Sequence, residues 1–217
     1  MCWVYDELFN RSFVRMVHSG RAPFPYNLIS GEMSMVKDTY DFVGINVYNR
    51  AHVAFDITWP FTLFGRMYIP DDVPQGDPGA DAPYGEAYPR AITLGVEYVK
   101  ALGKPIYVLE NGVPDRNDEV RPWLLMQATH ELSGLIERGN DVRGYFHWSL
   151  VDNFEWSEGW GLRFGLLELD EKTQQRTMRP SARLYAEIIR ANGLPEREVG
   201  LRSPAKTRRT TNPPAAT

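Results

Sequence analysis

The chain has 217 residues, 43% of them hydrophobic and 12% aromatic, enough to build one packed domain. Its formal net charge of −4 argues against a general nucleic-acid binder, which needs a basic surface. A single cysteine, Cys2, excludes an internal disulfide and a cysteine-built zinc site, and no apolar run approaches the ~18 residues of a membrane span.

The first residues, Met1 to Glu7, lack the basic start and apolar run of a signal peptide, so a cytoplasmic protein is expected. Residues 5–17 set Leu8, Phe9, Phe13, Val14 and Val17 at helical spacing. Residues 41–48 read as a buried strand. Residues 50–88, rich in Pro, Gly and Asp, read as a long loop, which is uncommon unless functional or disordered. A helix over about 90–102 carries Ile92, Val96 and Val99 on one face and stops at Gly103. Residues 105–109 form a short apolar strand that ends in Glu110, Asn111 and Gly112. The next helix begins near 121, with Pro122 in its first turn, Leu125, Ala128, Leu132 and Leu135 as its stripe, and Gly139 after its end. Residues 144–150 are a third strand, and residues 163–177 a hairpin turning at Asp170, Glu171 and Lys172. A last helix over about 181–192 turns Leu184, Tyr185, Ile188 and Ile189 inward, capped by Gly193. Residues 1–200 make one domain, and 201–217, with Lys206, Arg208, Arg209 and several prolines, a disordered tail. Helices alternating with apolar strands imply an α/β fold with a parallel sheet, and three visible strands leave two open edges.

All three strands end in polar or aromatic groups: Asn46 and Tyr48, then Glu110, then Trp148 leading into Asp152, Asn153, Phe154, Glu155 and Trp156. In a (β/α)8 barrel the C-terminal strand ends line the active site. From position alone Glu110 is equally a carboxylate at a site or one that caps the next turn or pairs with an arginine. Trp156 beside Glu155 suits sugar binding, by ring stacking and hydroxyl hydrogen bonds, or equally a core tryptophan beside a surface glutamate. His147 is turned away from Trp148 by strand alternation and reads as packed rather than as a base. His18, His52 and His130 are scattered without metal-ligand spacing, and Gly76 and Gly79 lack the strand–helix setting of a phosphate loop. No metal and no cofactor are expected.

Residues 41–48 (DFVGINVY), 105–114 (PIYVLENGVP) and 143–171 (RGYFHWSLVDNFEWSEGWGLRFGLLELDE) resemble family 1 glycoside hydrolases, the β-glucosidase group. The likeness extends through Arg176, Thr177 and Ser181 to the final helix, over about residues 36–192. It implies the C-terminal portion, about the last three βα units, of a (β/α)8 barrel acting on β-linked glycosides by a retaining mechanism. By this resemblance Glu110 matches the nucleophile and Tyr48 the tyrosine that orients it. Asn46 precedes Tyr48 in the same strand motif. Trp148 matches the sugar platform, Glu155 and Trp156 the pair that binds outer hydroxyls, and Phe164 the aromatic that closes the glycone pocket. A retaining glycosidase needs a second carboxyl group about 5–5.5 Å from the first. The family carries it in an Asn-Glu-Pro segment, which this sequence lacks. The resemblance therefore implies a partner, an N-terminal barrel half that supplies the acid/base, and a chain impaired alone. A non-catalytic carbohydrate-binding or assembly remnant is the alternative. Three smaller departures are Leu109 for a usual threonine, Val47 for a common tyrosine and Gly85 for a tryptophan beside the leaving-group site.

Overall fold

Three parallel strands, each preceded or followed by a helix that covers the same face, organise the computed structural model, which describes residues 2–29, 31–80, 84–195 and Pro204. The N-terminal helical segment comprises α1 (Cys2–Asp6), a π turn over Glu7–Arg11 and α2 (Ser12–Ser19). The π turn inserts an extra residue into one turn and rotates the residues after it. Glu7 and Ser12 consequently face inward, joined by a 2.6 Å hydrogen bond from Ser12 Oγ to the Glu7 carbonyl, while Phe9 and Phe13 are exposed.

The strand β1 (Val43–Asn46) leads into β2 (Asn49–Arg50), and β3 (His52–Phe55) pairs antiparallel with β4 (Gly65–Tyr68). Next come β5 (Glu86–Ala87), paired with β2, and α3 (Ala91–Val99) with a 3-10 turn at Lys100–Leu102. Then come β6 (Ile106–Asn111), α4 (Arg121–Glu137), β7 (Val142–His147), the hairpin β8 (Leu167–Leu169) and β9 (Arg176–Met178), and α5 (Pro180–Ala191). The region 50–88 is thus not a plain loop. Its strands are short and set among prolines and glycines, so no apolar run announces them.

In the sheet β6 lies between β1 and β7, with Val43 opposite Ile106 and Ile106 opposite Val142. The strands form an open α/β sheet and do not close a barrel. One face is packed: Ile92, Val96 and Val99 of α3, Ile106 and Val108 of β6, and Ala128, Leu132 and Leu135 of α4 form one buried cluster. Among the described residues the opposite face is left largely open, with Phe42 edge-on against Tyr107. Leu109 lies over Gly44, and Tyr107 over Gly144. Leu109 is 41% and Phe146 56% exposed, although parallel sheets are ordinarily covered on both faces.

Gly103 and Gly139 stop their helices in left-handed conformations, at φ 63° and 82°. The last helix departs from expectation in two ways. Its left-handed cap is Asn192, at φ 48°, rather than Gly193. Ile189 points outward at 61% exposure, because Leu184 and Ile188, four residues apart, define the stripe that meets Met126. The hairpin turns where expected, with Asp170 Oδ1 accepting the Lys172 and Thr173 amides, each at 2.9 Å. The tail reading, residues 201–217, and the domain end at 200 lie outside the described residues apart from Pro204. Among the described residues no helix is long and apolar enough to cross a membrane.

The two faces of β6 make opposite predictions. Val108→Ala removes methyl groups from the packed face and costs about 1–3 kcal/mol in urea unfolding, whereas Leu109→Ala on the open face changes stability by less than about 1 kcal/mol.

Candidate active site

Parallel pairing sets the C-terminal ends of β1, β6 and β7 side by side, and their side chains converge there. Glu110 stands opposite Asn46, and the Val47 amide donates to the Glu110 carbonyl at 2.8 Å, carrying the pairing one residue past β1. That extension delivers the Tyr48 hydroxyl to Glu110 Oε2, to which it donates at 2.5 Å. Burial, then this hydrogen bond and the Glu110 charge, hold the Tyr48 pKa far above the tyrosine range, so the phenol remains a donor.

Asn111, the next residue, turns to the other face and is buried. Its Nδ2 donates to the Val47 carbonyl at 2.7 Å, and its Oδ1 accepts the Tyr145 hydroxyl at 2.9 Å. Its own carbonyl accepts the Trp148 amide at 2.9 Å. One side chain and one carbonyl therefore tie the three strand ends together. Gly112 comes next because nothing larger fits: a Cβ there would lie 1.9 Å from the Trp148 carbonyl oxygen.

On the β7 side, Trp148 Nε1 donates to Glu155 Oε1 at 3.1 Å. The Glu155 pKa is raised, first by burial, with the Glu110 and Asp152 charges adding to it and hydrogen bonds from Trp148 and Asn153 opposing it. Phe164 is buried and meets the rings of Tyr48 and Tyr84 edge-on, at centroid distances of 6.1 and 5.3 Å. Tyr84 is itself pushed up by burial and then by the charges of Glu155 and Glu110. The segment carrying it is pinned by Glu86, which accepts two hydrogen bonds of 2.8 Å from Arg50 and sits 2.7 Å from His52 Nε2.

The structure thus brings together Glu110, Tyr48, Trp148, Glu155 and Phe164. Asn46 sits exposed at the end of β1, across from Glu110. Trp156 stands apart, 83% exposed, with a left-handed φ of 53°. His147 is packed, as expected: burial first, and then the Arg121 charge, push its pKa down to about 3. Among the described residues no three His, Cys, Asp or Glu side chains converge as a metal site. Asn111, Gly112 and Tyr84 also belong to this cluster, without a role expected from the sequence. The signal for the first two was present, since an amide and a glycine directly after a strand-end carboxylate mark a crowded backbone. Tyr84 sits in an irregular segment with no such mark.

Gly112→Ala drives a methyl group into the Trp148 carbonyl, so it lowers stability by about 1–3 kcal/mol and shifts the Trp148 indole N–H resonance. Raised in the folded state, Glu155 binds its proton more tightly there than in the unfolded chain, so stability falls as pH climbs through its titration, above the ordinary 4.5. Glu155→Gln keeps an acceptor for Trp148 and loses this dependence, so its urea midpoint gains on the parent's between about pH 4 and about pH 7.

Comparison with known proteins gives the family. The glycosyl hydrolase family 1 profile matches residues 9–194. A β-galactosidase of Sulfolobus acidocaldarius is 37% identical over 169 residues, which are 74% of this chain and 33% of that protein. The structure of a β-glycosidase from Pyrococcus horikoshii superposes with a TM-score of 0.73 at 34% identity, covering 89% of this chain and 44% of that one. A β-glucosidase from Thermotoga maritima, solved in complex with deoxynojirimycin, gives a TM-score of 0.75 at 28% identity, covering 88% and 47%. The chain spans less than half the length of each of these relatives, and along nearly its whole described length it belongs to glycosyl hydrolase family 1.

Proposed function

We propose that this chain carries the nucleophile side of a retaining β-glycosidase site, with Glu110 as nucleophile, and that it hydrolyses terminal β-glycosidic bonds when the rest of a barrel supplies the acid/base. The 2.5 Å hydrogen bond from Tyr48 to Glu110 carries the reading. It engages Oε2 and leaves Oε1 to attack. In the first step Glu110 bonds to the anomeric carbon, the glycosidic C–O bond breaks, and the partner carboxylic acid gives its proton to the leaving oxygen. In the second step water attacks the same carbon, its proton passes to the partner carboxylate, and the bond to Glu110 breaks. Trp148 gives the sugar a platform, Glu155 binds its outer hydroxyls with Asn46 beside them, and Phe164 closes the pocket; Trp156, exposed in the chain alone, completes the pair with Glu155 once the sugar is bound.

The open face of the β1–β6–β7 sheet supports a partner that brings further parallel strands, because such a sheet is stable when both faces are covered. Without the acid, general acid–base assistance of about 10²–10⁴-fold is lost, and the chain alone is impaired. A carbohydrate-binding role without turnover is the second reading, favoured by the Trp148–Glu155 pair, which can hold a sugar with no acid/base.

An activated 2-deoxy-2-fluoroglycoside, whose leaving group needs no protonation, tests the assignment. With the N-terminal segment of a family 1 relative supplied, one glycosyl group attaches to Glu110, as read by peptide mass spectrometry, and Glu110→Gln abolishes it. Tyr48→Phe slows labelling about 10–100-fold, the worth of a hydrogen bond to a charged group. Saturable calorimetric binding of deoxynojirimycin with no labelling under any condition would replace the nucleophile reading with the binding one.

A further inference from the structure

Behind the strand ends lies a set of six charges, three acids and three arginines, four of them buried, that the glycosidase reaction does not use. Asp152 is 1% exposed and accepts both Arg179 Nη atoms, each at 3.0 Å, as well as the Gly165 amide at 2.8 Å. Arg179 also donates to the Gly165 carbonyl at 2.6 Å. Arg121, fully buried, donates to Asp118, to the Asp115 carbonyl at 2.6 Å and to the Arg163 carbonyl at 2.8 Å. That same Arg163 carbonyl accepts the Asp115 amide at 2.8 Å. Arg163 borders the set, with Nη1 4.0 Å from Asp152 Oδ2 and Nη2 paired to Glu171 at 2.5 Å.

These partners fall on both sides of one residue. The carbonyl before Phe164 is held by Arg121 and Asp115, and the residue after it, Gly165, is held at its amide by Asp152 and at its carbonyl by Arg179. Gly165 is enclosed so closely that a Cβ would lie 2.2 Å from the Asp152 amide nitrogen. The backbone at Phe164 therefore has little freedom, and its ring presses edge-on against Tyr48. Tyr48 in turn donates to Glu110.

We propose that Asp152, Arg179 and Arg121 are positioning residues: they clamp the backbone on either side of Phe164 and, through its ring, hold the Tyr48 hydroxyl on Glu110. The catalytic meaning of this device rests on the nucleophile reading of Glu110; its mechanical part does not.

The test uses the full 217-residue chain with 13Cζ-labelled tyrosine, the Tyr48 resonance being assigned by its loss in Tyr48→Phe. Phe164→Leu removes the ring contact without touching the charges and shifts the Tyr48 resonance. Arg179→Gln and Asp152→Asn shift it in the same direction, while the Tyr107 resonance on the open sheet face stays in place. Arg143→Gln, which breaks the exposed pair with Asp141, leaves Tyr48 unmoved. Should Arg179→Gln fail to fold, Arg179→Lys is read in its place, since it keeps the charge beside Asp152 and gives up the two-pronged contact. An unmoved Tyr48 resonance in the folded Arg179 variant, with Phe164→Leu shifting it, overturns the proposal. Fluoroglycoside labelling of the same samples, with the N-terminal segment of a family 1 relative supplied, separates the two ideas. Tyr48 shifts with no labelling even of the unsubstituted chain sustain the positioning device and remove the nucleophile reading.

Discussion

Everything at the strand ends depends on β6 being held between β1 and β7 in parallel register. That pairing places Glu110 against Asn46 and Asn111 against His147, and the Asn111 side chain braces it at the strand ends. Helices α3 and α4 supply its stability through the apolar cluster on one face. Glu110 and Tyr48 stand on the edge that the packing leaves free. A carboxylate there loses some solvent but keeps a directed donor, Tyr48, which is how an acid can be desolvated without being left unpartnered.

Charge is handled differently a few residues behind. Asp115 accepts the amides of Val120 and Arg121 at the start of α4, at 2.7 and 2.8 Å, and Asp118 accepts the Ser181 amide at the start of α5, at 2.7 Å. Acids at helix N-termini meet unpaired amides and the positive end of the helix dipole. Arg121 lies between them and offsets both. Removing one member of such a buried set typically costs about 3–5 kcal/mol, because the partners are left charged and dry. The same atoms therefore start two helices and fix the loop between β7 and β8.

Much of the fold was legible from the order of residues. The three strands and four helical segments declare themselves through apolar runs, stop glycines and Pro122, and the strand-end position of Glu110 and Tyr48 marks them as candidates, to which only the family resemblance gives roles. The features that were not legible depend on tertiary partners. Asp152 and Arg179 are 27 residues apart and each reads as a surface charge until the hairpin folds back. The β3–β4 pair has only four residues on each side, with an irregular turn between. The π turn at Glu7–Arg11 has no composition of its own, so the inward face of the first helix could not be read from spacing. Asn192 took the cap expected of Gly193 because asparagine also tolerates the left-handed region.

The contact between Gly112 and the Trp148 carbonyl has a consequence for how such a chain can diverge. The two backbones already touch, so a side chain enters at position 112 only if the end of β7 retreats, and β7 is held by the Trp148 amide on Asn111. Positions 36 residues apart in sequence behave under mutation as a single locus. The loop beyond Trp148 is less constrained: Phe154, Trp156 and Trp160 reach solvent there, and only Phe154 and Trp160, which meet edge-on, are tied to each other.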